Sequence, residues 1–265
     1  MDVLQKLAEA SRARAEHDKA TLPQEALAEL CAVSGSAETA GAEPFTFERA
    51  LRKPGMSFIC EIKRASPSKG VISEYFDCVE IARDYEAAGA DCISVLTEPD
   101  HFLGSNAYLR EVVSVVPLPV LRKDFTVDAY QIYQARALGA SAVLLICAIL
   151  DPESLREFIE LAASLGLTAL TEAHDERELS AAIAAGARVV GVNNRDLKTF
   201  AVDPTNCLRL RELAPPDIVF VAESGITCRA DVVRLKQNGV DAVLVGETLM
   251  RAPDRRAALR ELRGR

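Results

Sequence analysis

Four times along the chain, a glycine in a phrase of small residues leads into a short apolar run. Ala88-Gly89-Ala90-Asp91 precedes Cys92-Ile93-Ser94-Val95-Leu96, and Leu138-Gly139-Ala140-Ser141 precedes Ala142-Val143-Leu144-Leu145-Ile146. Ala185-Gly186-Ala187-Arg188 precedes Val189-Val190-Gly191-Val192, and Asn238-Gly239-Val240-Asp241 precedes Ala242-Val243-Leu244-Val245. The glycines are 50, 47 and 53 residues apart. Each follows an alanine-rich or amphipathic stretch, such as 81–88 or 230–237. That is the place of a left-handed residue just past a helix end. The apolar runs do not alternate with polar residues, the pattern of parallel strands covered on both faces.

Four more apolar runs lie between these, at 58–62, 118–121, 167–171 and 218–222. The eight starts, near 58, 91, 118, 142, 167, 189, 218 and 242, are about 21 to 33 residues apart, room for one strand and one helix each. The pattern predicts an α/β chain folded as a (β/α)8 TIM barrel. An open doubly wound sheet is the alternative, weakened because no Gly-x-Gly-x-x-Gly follows the first strand. Residues 1–55 do not fit the repeat. Val3, Leu4, Leu7 and Ala8 share one helical face, Leu22-Pro23 breaks that helix, and 24–31 reads as a second. Segment 34–43 reads as loop and 45–51 as a short helix. The expectation is a single domain over 1–265, with 1–55 an N-terminal helical extension packed on a barrel of 56–265.

Polar residues collect just after the apolar runs, where barrels of this kind form their sites. Glu61-Ile62-Lys63-Arg64-Ala65-Ser66-Pro67-Ser68 follows the first strand, Arg122-Lys123-Asp124-Phe125 the third and Glu172-Ala173-His174 the fifth. Asn193-Asn194-Arg195-Asp196 follows the sixth, Glu223-Ser224-Gly225-Ile226 the seventh and Gly246-Glu247 the eighth. Side chains two apart on a strand share a face, so Glu61 and Lys63 point together, as do Asn193 and Arg195. Two charges at a partly dry mouth are costly unless paired with each other or with a ligand. The glycines after the last two strands let backbone N–H groups approach an anion, with a helix N-terminus adding partial positive charge. This predicts a phosphate site at Ser224, Gly225, Gly246 and Glu247. Glu247 is expected to contribute its N–H and turn its side chain away. His17, His101 and His174 read as structural or solvent-facing, and no metal motif appears.

Charge narrows the partners. The chain has 31 lysines and arginines against 39 aspartates and glutamates, a net charge of −8, which disfavours general binding to nucleic acid or anionic membranes. Seven cysteines stand singly without a CxxC pair, which argues against a disulfide framework or a zinc site. The longest uncharged run, 137–150, is too short to span a membrane, and the amino terminus lacks a signal-peptide core. A cytoplasmic, reduced protein is expected.

Taken in order, these motifs resemble the indole-3-glycerol phosphate synthase family. The resemblance rests on Phe58 to Ser68, on Leu96-Thr97-Glu98 with Phe102-Leu103-Gly104-Ser105, and on Arg122 to Phe125. It continues through Gly191 to Leu197, Ala222 to Ile226 and Gly246 to Met250, and includes the opening Asp2-Val3-Leu4-Gln5-Lys6. Thr171 departs from the family, which usually has an apolar residue there, and 34–43 is not family-like in detail. The resemblance implies closure of 1-(2-carboxyphenylamino)-1-deoxyribulose 5-phosphate to indole-3-glycerol phosphate, with loss of carbon dioxide and water. It implies Lys123 as general acid, its ammonium expected to be lowered toward working pH by desolvation. Lys63 matches a substrate-binding lysine and acid of the dehydration, and Glu172 the carboxylate that stabilises cationic character or takes the proton. Glu61 and Asn193 match orienting partners, and Arg195 and Glu223 ligand-adjacent positions. Ser66 is expected near the phosphate, with Phe102, Phe125, Pro67, Leu144 and Leu197 walling the anthranilate ring. The extension is expected to cover the pocket. The resemblance implies no cofactor, tryptophan biosynthesis as the setting, a monomer or weak homo-oligomer, and association with other enzymes of that pathway. The alternatives are another phosphate-binding barrel, such as a phosphoribosylanthranilate isomerase or a tryptophan synthase alpha-type lyase, or a non-catalytic phosphate-binding subunit.

Overall fold

The computed structural model describes residues 3–34, 44–196 and 199–265. The eight barrel strands are all parallel: β1 (Ser57–Ile62), β2 (Cys92–Leu96), β3 (Val120–Lys123), β4 (Ala142–Ile146), β5 (Thr168–Ala173), β6 (Val189–Asn193), β7 (Val219–Glu223) and β8 (Ala242–Val245). Each pairs with the next, and β8 returns to β1 in the register Ser57↔Ala242 to Cys60↔Val245, which closes the barrel and excludes the open sheet. The strand starts lie within two residues of those expected. The largest offset is β3, which begins at Val120 because Pro119 has no N–H for the ladder; its carbonyl accepts from Ile93 N–H at 3.0 Å.

Three helices precede the barrel: α1 (Val3–Thr21), α2 (Gln24–Ser34) and α3 (Thr46–Leu51). α2 runs three residues beyond the expected 31, and the loop expected over 34–43 lies, from residue 35, outside the described residues. Outer helices follow the strands: α4 (Cys78–Ala88), α5 (Asn106–Val115), α6 (Ala129–Ala137), α7 (Pro152–Ser164), α8 (Glu176–Ala184), α9 (Asn206–Arg211) and α10 (Arg229–Gln237). A one-turn α11 (Glu247–Met250) and α12 (Arg255–Arg263) close the chain. The repeated glycines are left-handed, with φ of 90° at Gly89, 87° at Gly139, 88° at Gly186 and 77° at Gly239, as a turn straight from helix into strand requires.

Alternation on the strands sorts the buried residues into two cores. Phe58, Ile93, Val143, Val190 and Phe220 face the helices. Ile59, Leu121, Leu144, Leu170, Val189, Val221 and Leu244 fill the barrel interior. The preceding helices sit at opposite ends of that interior. α3 closes the amino-terminal end, where buried Phe47 joins the interior core and Glu48 N–H donates to Thr168 Oγ1 at 3.2 Å. α1 crosses the carboxyl end, where buried Ser11 donates to the Phe125 carbonyl at 2.6 Å and accepts from Gln131 Nε2 at 2.9 Å.

Candidate active site

Five interior rows are apolar at the base and polar at the carboxyl end. The rows run Ile59–Glu61–Lys63 on β1, Leu121–Lys123 on β3, Leu170–Glu172 on β5, Val189–Gly191–Asn193 on β6 and Val221–Glu223 on β7. The spacing of two carries each polar group inward at the mouth. There they line one cavity of about 700 Å³. Sixteen of the seventeen expected site positions border it: Glu61, Lys63, Ser66, Pro67, Phe102, Lys123, Phe125, Leu144, Glu172, Asn193, Arg195, Glu223, Ser224, Gly225, Gly246 and Glu247. Leu197 lies outside the described residues.

The ionisable groups are tightly placed. Lys63 pairs with Glu61 across the top of β1. Lys123 Nζ lies 3.5 Å from Glu172 Oε2 and 3.9 Å from Glu223 Oε2. Its ammonium is not lowered, contrary to the expectation from desolvation. Burial pushes it down, but the carboxylates of Glu172, Glu223 and Glu61 together push it above the usual lysine range. The two buried acids beside it part company. Burial raises Glu172, but Lys123, His174 and the Asn193 side chain outweigh that and hold it well below the usual carboxylate range. Burial, and then the Glu172 charge, push Glu223 up to about 8. One carboxylate and one carboxylic acid therefore flank one ammonium at neutral pH. Backbone room is tailored to them, since a methyl group on Gly191 would overlap Glu223 Oε1.

The loops after β7 and β8 line the cavity as well. Ser224 and Gly225 are both left-handed, at φ 64° and 79°, and Asn194 Nδ2 holds the Ser224 carbonyl at 3.1 Å. Because α11 is a single turn, the donors offered here are loop N–H groups rather than a helix end. Gly246 has a second reason to be glycine: a Cβ there would strike the Glu61 carboxylate and stand 3.1 Å from Lys63 Nζ. Glu247, expected to turn its side chain away from the phosphate, has its carboxylate held among cations. These are Arg251 at 3.2 Å, Lys69 at 3.5 Å and Arg195 at 3.6 Å. The apolar wall joins Phe102 and Phe125, ring centroids 6.1 Å apart, to Pro67, Leu144 and, from α1, Val3, Leu4 and Leu7.

Comparison with known proteins gives the family. The family model described as indole-3-glycerol phosphate synthase matches residues 4–262. The chain belongs to the indole-3-glycerol phosphate synthase family. It is 61% identical over 221 residues to the indole-3-glycerol phosphate synthase of Ruminiclostridium cellulolyticum, covering 83% of this chain and 85% of that one. It is 48% identical over 267 residues to that of Lachnoclostridium phytofermentans, covering 98% of each. Among solved structures, the 3-hexulose-6-phosphate synthase from Salmonella typhimurium aligns with a TM-score of 0.65 at 16% identity, over 78% of this chain and 96% of that one. That likeness speaks for the barrel alone.

Two features of this indole-3-glycerol phosphate synthase family site were not read from the sequence. The first is how α1 is locked down. Arg14 reaches Asp100 at 3.3 Å and Glu98 and Asp124 at 3.4 Å each, while buried Arg122 spans Thr97, Asp124 and the Gln131 carbonyl. The Arg-Lys-Asp triplet carried the signal, because its alternation turns Lys123 inward and Arg122 outward. The second is His174. His17 and His101 are exposed, but His174 is largely buried, and only its position two residues past Glu172 hinted at that. Among the described residues, no group of three His, Cys, Asp or Glu side chains is arranged to hold a metal ion, and no helix is long and apolar enough to cross a membrane.

Proposed function

We propose that this protein converts 1-(2-carboxyphenylamino)-1-deoxyribulose 5-phosphate to indole-3-glycerol phosphate, the product named in its relatives, as a carboxy-lyase of tryptophan biosynthesis. The observation that carries the reading is Lys123, an ammonium set between Glu172 and Glu223 at the mouth of a cavity that the loops of Ser224, Gly225, Gly246 and Glu247 also line. The substrate phosphate lies on the loops of Ser224, Gly225, Gly246 and Glu247, with Lys63 and Ser66 near it. The aromatic ring lies against Phe102, Phe125, Pro67 and Leu144. α1 covers the ring from above and excludes water.

With the ring carbon bearing the carboxylate held against the ketone, the new carbon–carbon bond forms and Lys123 gives its proton to the developing alkoxide. The ammonium enters the reaction protonated, the state a general acid needs. Carbon dioxide then leaves, and its bonding electrons return to the ring system. Lys63 delivers a proton to the departing hydroxyl while Glu172, the ionised carboxylate, takes the proton that restores the aromatic indole. Glu61 orients Lys63, and Asn193 orients Glu172. Arg195 and Glu223 border the ligand. The protein works in the cytoplasm as a monomer or weak homo-oligomer in the company of other enzymes of the pathway. Its seven cysteines are free, which suits a reduced compartment.

The test is a fluorescence assay for indole-3-glycerol phosphate formation. Lys123→Ala lowers kcat roughly 100-fold or more, the scale of a positioned general acid. An unchanged rate would remove Lys123 from that role. An inactive wild type that instead interconverts another phosphorylated sugar would replace the whole reading.

A further inference from the structure

His174 has no part in that scheme, yet it is built into the site. It directly follows β5, which carries Glu172, and its ring stands between two acids. Nε2 lies 3.3 Å from Glu172 Oε1, and Nδ1 lies 3.0 Å from Glu178 Oε2 on α8. Its main chain is pinned as well: the His174 N–H donates to Glu178 Oε2 at 2.8 Å, and Asn206 Nδ2 of α9 donates to the His174 carbonyl at 3.0 Å. The two oxygens of Glu172 are thereby divided. Oε1 faces His174, and Oε2 faces Lys123 at 3.5 Å.

We infer that His174 is a positioning residue: clamped by Glu178, it holds one oxygen of Glu172 and so presents the other to Lys123 and the cavity. This rests on the reading above, in which Glu172 accepts a proton. Two acids face this ring, Glu172 from β5 and Glu178 from α8, and the groups near those acids are Asp175 at the α8 cap and Cys147 from the turn after β4. The Cys147 thiol is pushed up to about 12, by burial first and then by Glu178 and Glu172, so it brings no charge. Burial pushes His174 down, but its contacts with Glu172 and Glu178 outweigh this and carry it up to about 10. The ring is thus a cation through the physiological range. It counters the burial penalty that would otherwise put the proton of the crowded acid pair on Glu172 rather than on Glu223.

The experiment compares wild type, His174→Gln and Glu178→Gln in the same assay across pH, with nitrogen NMR of the histidine rings. Three histidines make the His174 signal assignable by its loss in His174→Gln. Both ring nitrogens of His174 should stay protonated at pH 8, and a neutral ring there would overturn the inference whatever the activity. In His174→Gln, kcat should fall about 10- to 100-fold, the scale of a one- to two-unit electrostatic change at Glu172, with KM within about threefold. Its acid limb should move up by about one pH unit, because Glu172 has lost a cation that kept it ionised. Glu178→Gln should lower the His174 titration and reduce kcat in the same direction. A His174→Gln enzyme with an unmoved acid limb and an unchanged kcat sinks the inference while leaving the proposed reaction standing. A wild type that makes no indole-3-glycerol phosphate sinks the reaction, and the NMR result still reports on the clamp.

Discussion

Gly246 and Gly191 stand where a single methyl group would strike a carboxylate of the site. At Gly191 the added carbon would overlap Glu223 Oε1 and press Leu170 Cδ1 at 3.3 Å, inside a filled barrel with little room to yield. Gly191→Ala is therefore expected to cost about 1–3 kcal/mol of stability, the usual range for overpacking, as read by urea denaturation. It should also lower kcat by displacing Glu223. Full activity at wild-type stability would show that the carboxylate has somewhere else to go. Gly246→Ala meets only the ends of Glu61 and Lys63, which can swing. The loss should fall on kcat/KM, with the urea midpoint nearly unchanged. The sequence marks both glycines, but as a strand residue and a phosphate-loop residue. That each makes space for a particular acid follows from strands that are neighbours only in the closed barrel. The Lys123 titration is a similar case. Desolvation can be guessed from one strand, but the three acids that reverse its effect come from β1, β5 and β7.

At the scale of elements, period and punctuation were legible because each strand, helix and left-handed glycine is a local matter. The amphipathic face of α1 was legible too. Which end of the barrel it covers was not, since any apolar face can dock on any apolar opening. Ser11 settles it by donating to Phe125 and accepting from Gln131, so that α1 and the loop carrying Phe125 share one buried network. Ser11→Ala leaves the Gln131 amide without that acceptor and should destabilise the protein by about 1–3 kcal/mol, measured by thermal or urea unfolding. Removing α1 altogether takes Val3, Leu4 and Leu7 from the cavity wall. The shortened protein should bind substrate more weakly and turn over more slowly. Unaltered KM and kcat would leave α1 a structural brace and nothing more.

The whole molecule feels its buried rim through pH. Glu172 is lowered on folding, so its contribution is present above its unfolded value near 4.5 and is lost as the solution is acidified below that. Glu223 is raised from 4.5 to about 8, so folding favours its protonated form, and stability declines as pH climbs through that window. His174 is raised from 6.5 to about 10, so its contribution is complete below 6.5 and fades as pH rises to 10. The three together place maximal Tm on the acidic side, at about pH 4.5–5, with a decline toward pH 10. His174→Gln should flatten the upper part of that decline and Glu223→Gln the lower part. A wild-type Tm that climbs steadily from pH 6 to pH 9 would contradict the arrangement.

Hydrophobic period, glycine punctuation and the polar residues that end each apolar run determined the barrel, the end of it that bears the site and most of the residues gathered there. These are properties of one strand or one turn, and the two-residue repeat of a strand turns position into direction. Tertiary structure decided the rest: which acid keeps its proton, why Lys123 remains an ammonium, where Glu247 finds its partners and how His174 comes to lie against Glu172. Those outcomes are sums of charge and burial over groups brought within a few ångströms by closure of the barrel, and such sums depend on distance in space rather than along the chain.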